Sequence, residues 1–332
     1  MKSVTYCEFA VVRYNTDGSL DTTFNKTGKE ATPIGSSTKQ AFAYALAFET
    51  VSGVAKIVVV GSVANGSATQ TDFAVVRYNL DGSLDTSFGG GTGEVTTDFQ
   101  TRSDVATGVV IQSDGKIVVA GLAEDHSSDQ YAGLARYNTD GSLDTSFGGG
   151  TGKELLTNTP RATGVALETN GKIDLVGTVA NEEIVGGKII DLGSKFEVSQ
   201  FNTDGSVDTT FGTDGVADVD LGGSDHAYAI AVQSNPNLPN YGDIMAAGCT
   251  TAGVVNYQIG VIALTSAGVL DPAFGTGGIA ITSTGLWSKG SAIAFQPGDG
   301  KVVVAGSDQD SGGIQYFVLV RYNTDGSLDT TF

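Results

Sequence analysis

Apolar residues along this chain fall into short runs, each closed by a polar turn that contains glycine. In the clearest stretch, ATGVVIQ (106–112) leads through the turn SDG into KIVVAG (116–121) and a variable loop. YAGLARYN (131–138), the turn DGSLDTSFG and GKELLT (152–157) follow. Runs of this length between Asp-Gly and Asn-x-Asp-Gly turns predict β-strands with tight antiparallel connections, four to a unit. In KIVVAG and FAVVRYN, polar and apolar positions do not alternate. A strand apolar on both faces must be covered on both faces, and four-stranded sheets stacked around an axis achieve this. The fourth runs, such as GEVTTDF and GVADVDL, are more polar and suit an outer edge blunted by charge.

The unit repeats. RYNTDGSLDTTF at 13–24 returns as RYNLDGSLDTSF at 77–88, RYNTDGSLDTSF at 136–147, QFNTDGSVDTTF at 200–211, ALTSAGVLDPAF at 263–274 and RYNTDGSLDTTF at 321–332. The closing phenylalanines Phe24, Phe88, Phe147, Phe211, Phe274 and Phe332 are spaced by 64, 59, 64, 63 and 58 residues, the mark of a repeat architecture. Counting runs gives five first, five second, six third and five fourth strands. The expected fold is all-β: one β-propeller domain over 1–332, built from four-stranded antiparallel blades. Full units span 37–100, 101–158, 159–220 and 221–282, with partial units at 1–36 and 283–332. A fourth strand from the N-terminus would close a fifth blade with the three C-terminal strands; a partial ring of a larger propeller is the alternative. One third strand is then left over, because 8–15 and 317–323 carry the same pattern. Such a strand can pair with a neighbouring molecule, so strand-exchanged self-association is expected.

With these motifs in view, the unit resembles the delta-60 repeat, a bacterial β-propeller family marked by a GKIVVAG strand and an R-Y-N-x-D-G-x-L-D-x-x-F-G turn. Residues 116–121 and 136–148 match both, five of six anchors match well, and the resemblance covers essentially the whole chain. It implies a bacterial, extracellular or cell-surface setting in larger multi-repeat proteins, with no defined activity. The opening MKSVTYCEFAVVRYN has no signal-peptide h-region, which departs from that setting and points to a segment of something longer.

Composition sharpens the picture in three ways. Glycine is abundant (47 residues) while proline is scarce (6), which fits many tight turns rather than a disordered chain. The net charge of −19 repels phosphate backbones, so nucleic acid is not expected as a partner; protein and glycan ligands are. No run of eighteen apolar residues exists, so no membrane insertion is expected. The two cysteines, Cys7 and Cys249, lie far apart and read as buried small residues rather than a disulfide.

Candidate chemistry is sparse. Asn15, Asp17 and Asp21, with their repeat equivalents, resemble the core of a calcium loop, but Arg13 holds the position of the first acidic ligand and the fifth copy has Ala267 for the central Asp. What persists is a turn in which Asp accepts backbone N–H groups, so no metal or other cofactor is expected, calcium being the alternative. The glycine run 148–152 opens a strand rather than a helix and does not read as a phosphate loop. In a blade of this topology the second-to-third and fourth-to-first loops share one face of the disc. These are the loops that vary between units, while the opposite turns repeat; variation is where a ligand site is grafted. Glu124, Asp125, His126, Glu182, Glu183, Asp225, His226 and Trp287 all fall on the variable face and are the candidate ligand-binding residues. An exposed Trp287 suits sugar stacking or a protein hot spot, a packed one the core. No catalytic motif is found. The expectation is therefore a non-enzymatic binding or structural module. The alternative is a carbohydrate-active hydrolase whose carboxylates converge on the same face.

Overall fold

The computed structural model describes residues 7–35, 40–65, 70–100, 102–157, 159, 161–185, 188–251 and 256–332. The unit boundaries expected at 36/37 and 158, parts of three variable loops (66–69, 186–187 and 252–255) and the first six residues lie outside these. The fold is all-β, a propeller of antiparallel four-stranded blades, five in count. The chain divides into two compact units, Met1–Ala162 and Thr163–Phe332.

In the first unit, β1 (Phe9–Val12) pairs with β2 (Lys29–Thr32). Two complete blades follow: β3 (Ala41–Val51), β4 (Val54–Ala64), β5 (Thr71–Asn79) and β6 (Glu94–Thr97), then β7 (Asp104–Ile111), β8 (Ile117–Glu124), β9 (Gln130–Tyr137) and β10 (Lys153–Leu156). The second unit holds β11 (Gly164–Leu167), β12 (Ile173–Val185), β13 (Lys188–Phe201) and β14 (Val216–Val219) as one blade. Its next blade is β15 (Asp225–Val232), β16 (Ile244–Thr250), β17 (Gln258–Leu264) and β18 (Ile279–Thr282). A three-stranded sheet of β19 (Lys289–Phe295), β20 (Val302–Gln309) and β21 (Gln315–Tyr322) ends it. The sheets at the two ends of the chain have separate ladders, β2 pairing with β1 and β21 with β20.

Stacking explains the two-faced apolar runs. In β4, Ile57 and Val59 enter a cluster with Phe9, Val11 and Phe24, while Val58 and Val60 join Phe73, Phe88 and Val119 on the other side. Tyrosines tie successive sheets together: the Tyr137 hydroxyl donates to Thr97 Oγ1 at 2.7 Å and that of Tyr322 to Thr282 Oγ1 at 2.8 Å, all four residues buried. Tyr137→Phe leaves Thr97 without that partner and is expected to cost about 1 kcal/mol, read as a lowered urea midpoint at unchanged slope.

The repeated turn is a structural device. In the third copy, Asp140 Oδ1 accepts the Ser142 N–H at 2.9 Å, and Asp144 Oδ1 accepts the N–H and hydroxyl of Ser146. Asp144 Oδ2 pairs with Arg136 Nε at 2.7 Å and Lys116 Nζ at 2.9 Å, and the Arg136 guanidinium lies 4.7 Å above the buried Phe147 ring. Asp17 and Asp21 are engaged in the same manner by Ser19, Thr23 and Arg13. The turn also stitches sheets: Gly89 donates its N–H to the Asp140 carbonyl (2.9 Å), and Gly212 donates to the Ala267 carbonyl (2.9 Å). A main-chain oxygen makes this stitch, which is why Ala267 can replace the aspartate there.

Candidate functional site

In the second unit, on the variable loop face, blade β15–β18 and sheet β19–β21 enclose a cleft of about 290 Å³. It is at the small end of the range for ligand pockets, about 300–1,000 Å³. Its aromatic wall is built from three chain segments. His226 comes from the start of β15. Tyr228 is the extra residue of a β-bulge between Ala227 and Ala229, a device that re-aims a side chain. Tyr257 precedes β17, and Trp287 sits in the loop before β19. The rings lean on one another: Tyr257 and Trp287 at 5.3 Å between centroids, His226 and Tyr257 at 5.9 Å, His226 and Tyr228 at 6.5 Å. Trp287 keeps 45% of its surface exposed, so the indole is braced on one side and open on the other.

Polar groups line the rest. Lys289 Nζ lies 4.0 Å over the Tyr228 ring, and Ser307, Asp308, Gln309 and Gln315 complete the rim. Asp308 is oriented by the Ser288 hydroxyl (3.3 Å) and the Gln309 N–H (2.7 Å). It stands so close to Gly285 that a Cβ there would overlap its carboxylate. Cys249 is buried at the floor, its thiol donating to the Tyr228 hydroxyl at 3.9 Å, and burial raises its pKa. Lysine on a ring face disfavours a cationic guest, and the net charge of −19 disfavours an anionic one. The lining matches a neutral, hydroxylated ligand with apolar faces.

The structure brings together two of the eight candidate residues, His226 and Trp287. Asp225, next to His226 along β15, points the other way. It is fully buried, and Oδ2 accepts the Leu221 N–H at 2.8 Å to cap the β14–β15 loop. Asp104 does the same for Phe99 (2.8 Å), and the Ser288 hydroxyl for Thr284 (3.1 Å), so this position closes the fourth-to-first loop. Glu182 and Glu183 stand exposed on the long β12–β13 hairpin, opposite Asp191 and Ile190. Glu124, Asp125 and His126 belong to the first unit. There Asp125 Oδ1 accepts the Ser127 and Asp129 N–H groups, and Glu124 accepts from Gln130. Also in that unit, Asp72, Asp98 and Asp104 bring carboxylate oxygens within 4.8 Å of one another. Asp104 is the loop cap already described, pushed up to about 7 by burial. The sequence alone does not single out Tyr228, Tyr257, Lys289 and Asp308. The signal that points to the first three is departure from the repeat, since they lie in 212–297, between the last two matches to it.

A family model described as a domain of unknown function (DUF5122) beta-propeller matches residues 8–24, 56–88, 112–147, 184–211 and 298–332. These stretches carry the repeated turns, and the segment that builds most of the cleft lies between the last two. Curated proteins provide no match. Solved structures similar to the chain include the GH43_1 enzyme from Xanthomonas citri complexed with xylotriose, at 12% identity over 87% of this chain and 90% of that one, TM-score 0.41. A thermostable family-43 glycoside hydrolase aligns at 12% identity over 87% and 92%, TM-score 0.43, and a glucose dehydrogenase at 12% over 75% and 75%, TM-score 0.43. Likeness this distant carries no argument about substrate or residues. It does correct the expectation of a non-enzymatic chain: the similar structures are enzymes, so the lack of a sequence motif gives no ground for excluding catalysis. The chain is a β-propeller repeat protein, similar over five stretches to the DUF5122 β-propeller.

Proposed function

We propose that the chain is a carbohydrate-active propeller of the delta-60 repeat kind, and that the cleft of the second unit binds a neutral saccharide. The observation that carries this reading is the half-open aromatic wall of His226, Tyr228, Tyr257 and Trp287 facing a rim of Asp308, Lys289 and glutamines. Aromatic faces stack on the C–H faces of a pyranose, and carboxylate, amide and ammonium groups fix its hydroxyls. A cell-surface or secreted setting suits such a role. Hydrolysis is the second reading. It calls for two carboxyl groups about 5–10 Å apart across the sugar, and Asp308 is the carboxylate among the described lining residues.

Trp287 is the single tryptophan of the chain, so its fluorescence reports on the cleft alone. Titrating neutral oligosaccharides is expected to shift and quench that emission, and Tyr257→Ala to weaken the response about tenfold, near the value of one aromatic contact. Ser142→Lys, on the repeated turn, should leave it unchanged. Assay of reducing ends in the same samples separates the two readings: release abolished by Asp308→Asn with binding retained supports hydrolysis. A panel that leaves the emission untouched, or a response indifferent to Tyr257→Ala, rejects the site.

A further inference from the structure

The aspartate that closes each repeated turn meets a positive side chain in every copy but one. Lys116 and Arg136 reach Oδ2 of Asp144, Lys301 and Arg321 reach that of Asp329, and the turns ending at Asp21, Asp85 and Asp208 are paired in the same way. The exception is Asp271, in the β15–β18 blade. Backbone register identifies the residues that stand in for its two cations. The Gln233 N–H donates to the Asp243 carbonyl at 2.9 Å, as Gln112 does to that of Lys116 and Gln296 to that of Lys301. The Asp271 N–H donates to the Ala263 carbonyl at 2.9 Å, as Asp144 does to that of Arg136. Asp243 therefore holds the lysine position and Ala263 the arginine position.

This exchange leaves two acids with no counter-charge. Asp271 Oδ1 accepts the Ala273 N–H at 3.0 Å in the usual manner. Among the described residues, however, no lysine or arginine forms an ion pair with Asp271 or Asp243. Asp243 is only 7% exposed, and its Oδ2 has no hydrogen-bond donor among the described residues. Burial, and then the neighbouring Asp271 carboxylate, raise its pKa. Gln233, whose counterparts Gln112 and Gln296 accept from the arginine, is buried with its Nε2 unpartnered. The inserted segment 235–243 replaces only the neutral part of the arginine. Asn240 Nδ2 donates to the Thr324 carbonyl at 2.8 Å, the bond that Arg77 Nη1 makes to Thr139, but the segment contains no lysine or arginine. An unpaired buried carboxylate costs several kcal/mol, so the site favours an ion that supplies the positive charge.

We propose that this site binds a hard divalent cation of the calcium or magnesium class, held between the carboxylates of Asp243 and Asp271 where the other copies place lysine and arginine side chains. Such cations take oxygen ligands, and magnesium keeps several waters where one or two carboxylates hold it. A double charge offsets both carboxylates, and burial of Asp243 selects a small ion over a partner's side chain. The ion would tie the β15–β16 hairpin to the turn after β17. The site stands at the opposite end of β15 and β16 from His226 and Cys249, so it is independent of the saccharide reading of the cleft.

Calorimetric titration of the chelator-treated chain at pH 8 tests this, with calcium chloride and magnesium chloride added separately in excess sodium chloride to screen the acidic surface. One site per chain is expected for at least one of the two ions, and saturation should raise the melting temperature by a few degrees. Asp243→Asn should abolish both the site and the shift. Asp243→Lys restores the residue that the repeat carries at this position. It should also abolish binding, and without any ion it should melt above the ion-free wild type. Asp271→Asn removes the partner carboxylate and stands in for either variant that fails to fold. Binding and shift retained in Asp243→Asn would place the ions elsewhere on the acidic surface and overturn the proposal. A wild-type chain that responds to neither ion overturns it as well, since the two carboxyls then share a proton instead.

Discussion

Gly121→Ala is expected to destabilise the protein by about 3 kcal/mol or more, the upper range for forcing an extra methyl into a packed interior. Gly121 closes the KIVVAG motif on β8, opposite the bulge that β7 makes between Ala106 and Gly108. The bulge turns the Val105 carbonyl toward β8, so a Cβ on Gly121 would overlap that oxygen and crowd the Ala106 Cα. Neither atom belongs to a flexible side chain, so the backbone itself has to shift. The same arrangement recurs at Gly61 against Phe42, Gly248 against His226 and Gly306 against Lys289, each opposite a first-strand bulge. Gly298→Ala is the control: it sits in a turn with open space around the added methyl and should change stability little. Urea titration of both variants decides the matter, and a Gly121→Ala midpoint equal to that of Gly298→Ala would show that the bulge carries no such constraint.

Acidification from pH 8 to pH 5 is expected to raise the melting temperature by several degrees. Burial pushes Asp174 up to about 8 and Glu197, Asp104 and Asp243 up to about 7. In the unfolded chain these carboxyls titrate near 4. Between about 4 and 7–8 the folded state therefore binds more protons than the unfolded one, and stability falls as pH rises through that window. Even one unit of displacement at one group is about 1.4 kcal/mol, worth a few degrees in a chain of this size. Below pH 4 the sign reverses. Despite the cost of burial, Ser87, Lys56 and Arg77 hold Asp85 down to about 2, and Lys172 with Thr210 does the same for Asp208. Their stabilisation is present above the unfolded value and is lost as pH falls toward 2, which places the optimum near pH 4–5. Asp174→Asn should raise the melting temperature at pH 8 and leave it nearly unaltered at pH 5. A melting temperature that is level or climbs from pH 5 to pH 8 rejects this account.

The strand order and the stacking were legible in the chain because both are local. An Asp-Gly turn closes a hairpin through its own donors, as Asp140 and Ser142 do, and a run such as KIVVAG needs cover on both faces wherever it lies. Blade topology also assigned the variable loops to one face, and the cleft lies there. It could not say which of those loops meet. Glu124, Glu182 and His226 share the variable face as a class, yet they stand in different blades. Asp225 and His226 are neighbours in sequence, but alternation along β15 sends one into the blade as a loop cap and the other into the cleft. Tyr228, two residues beyond His226, lies on the same face and reaches the cleft with it, and Asp308 has room there because Gly285 carries no side chain. Local chemistry thus determined the blade. The site depended on how successive sheets converge across about ninety residues of chain, which only packing decides.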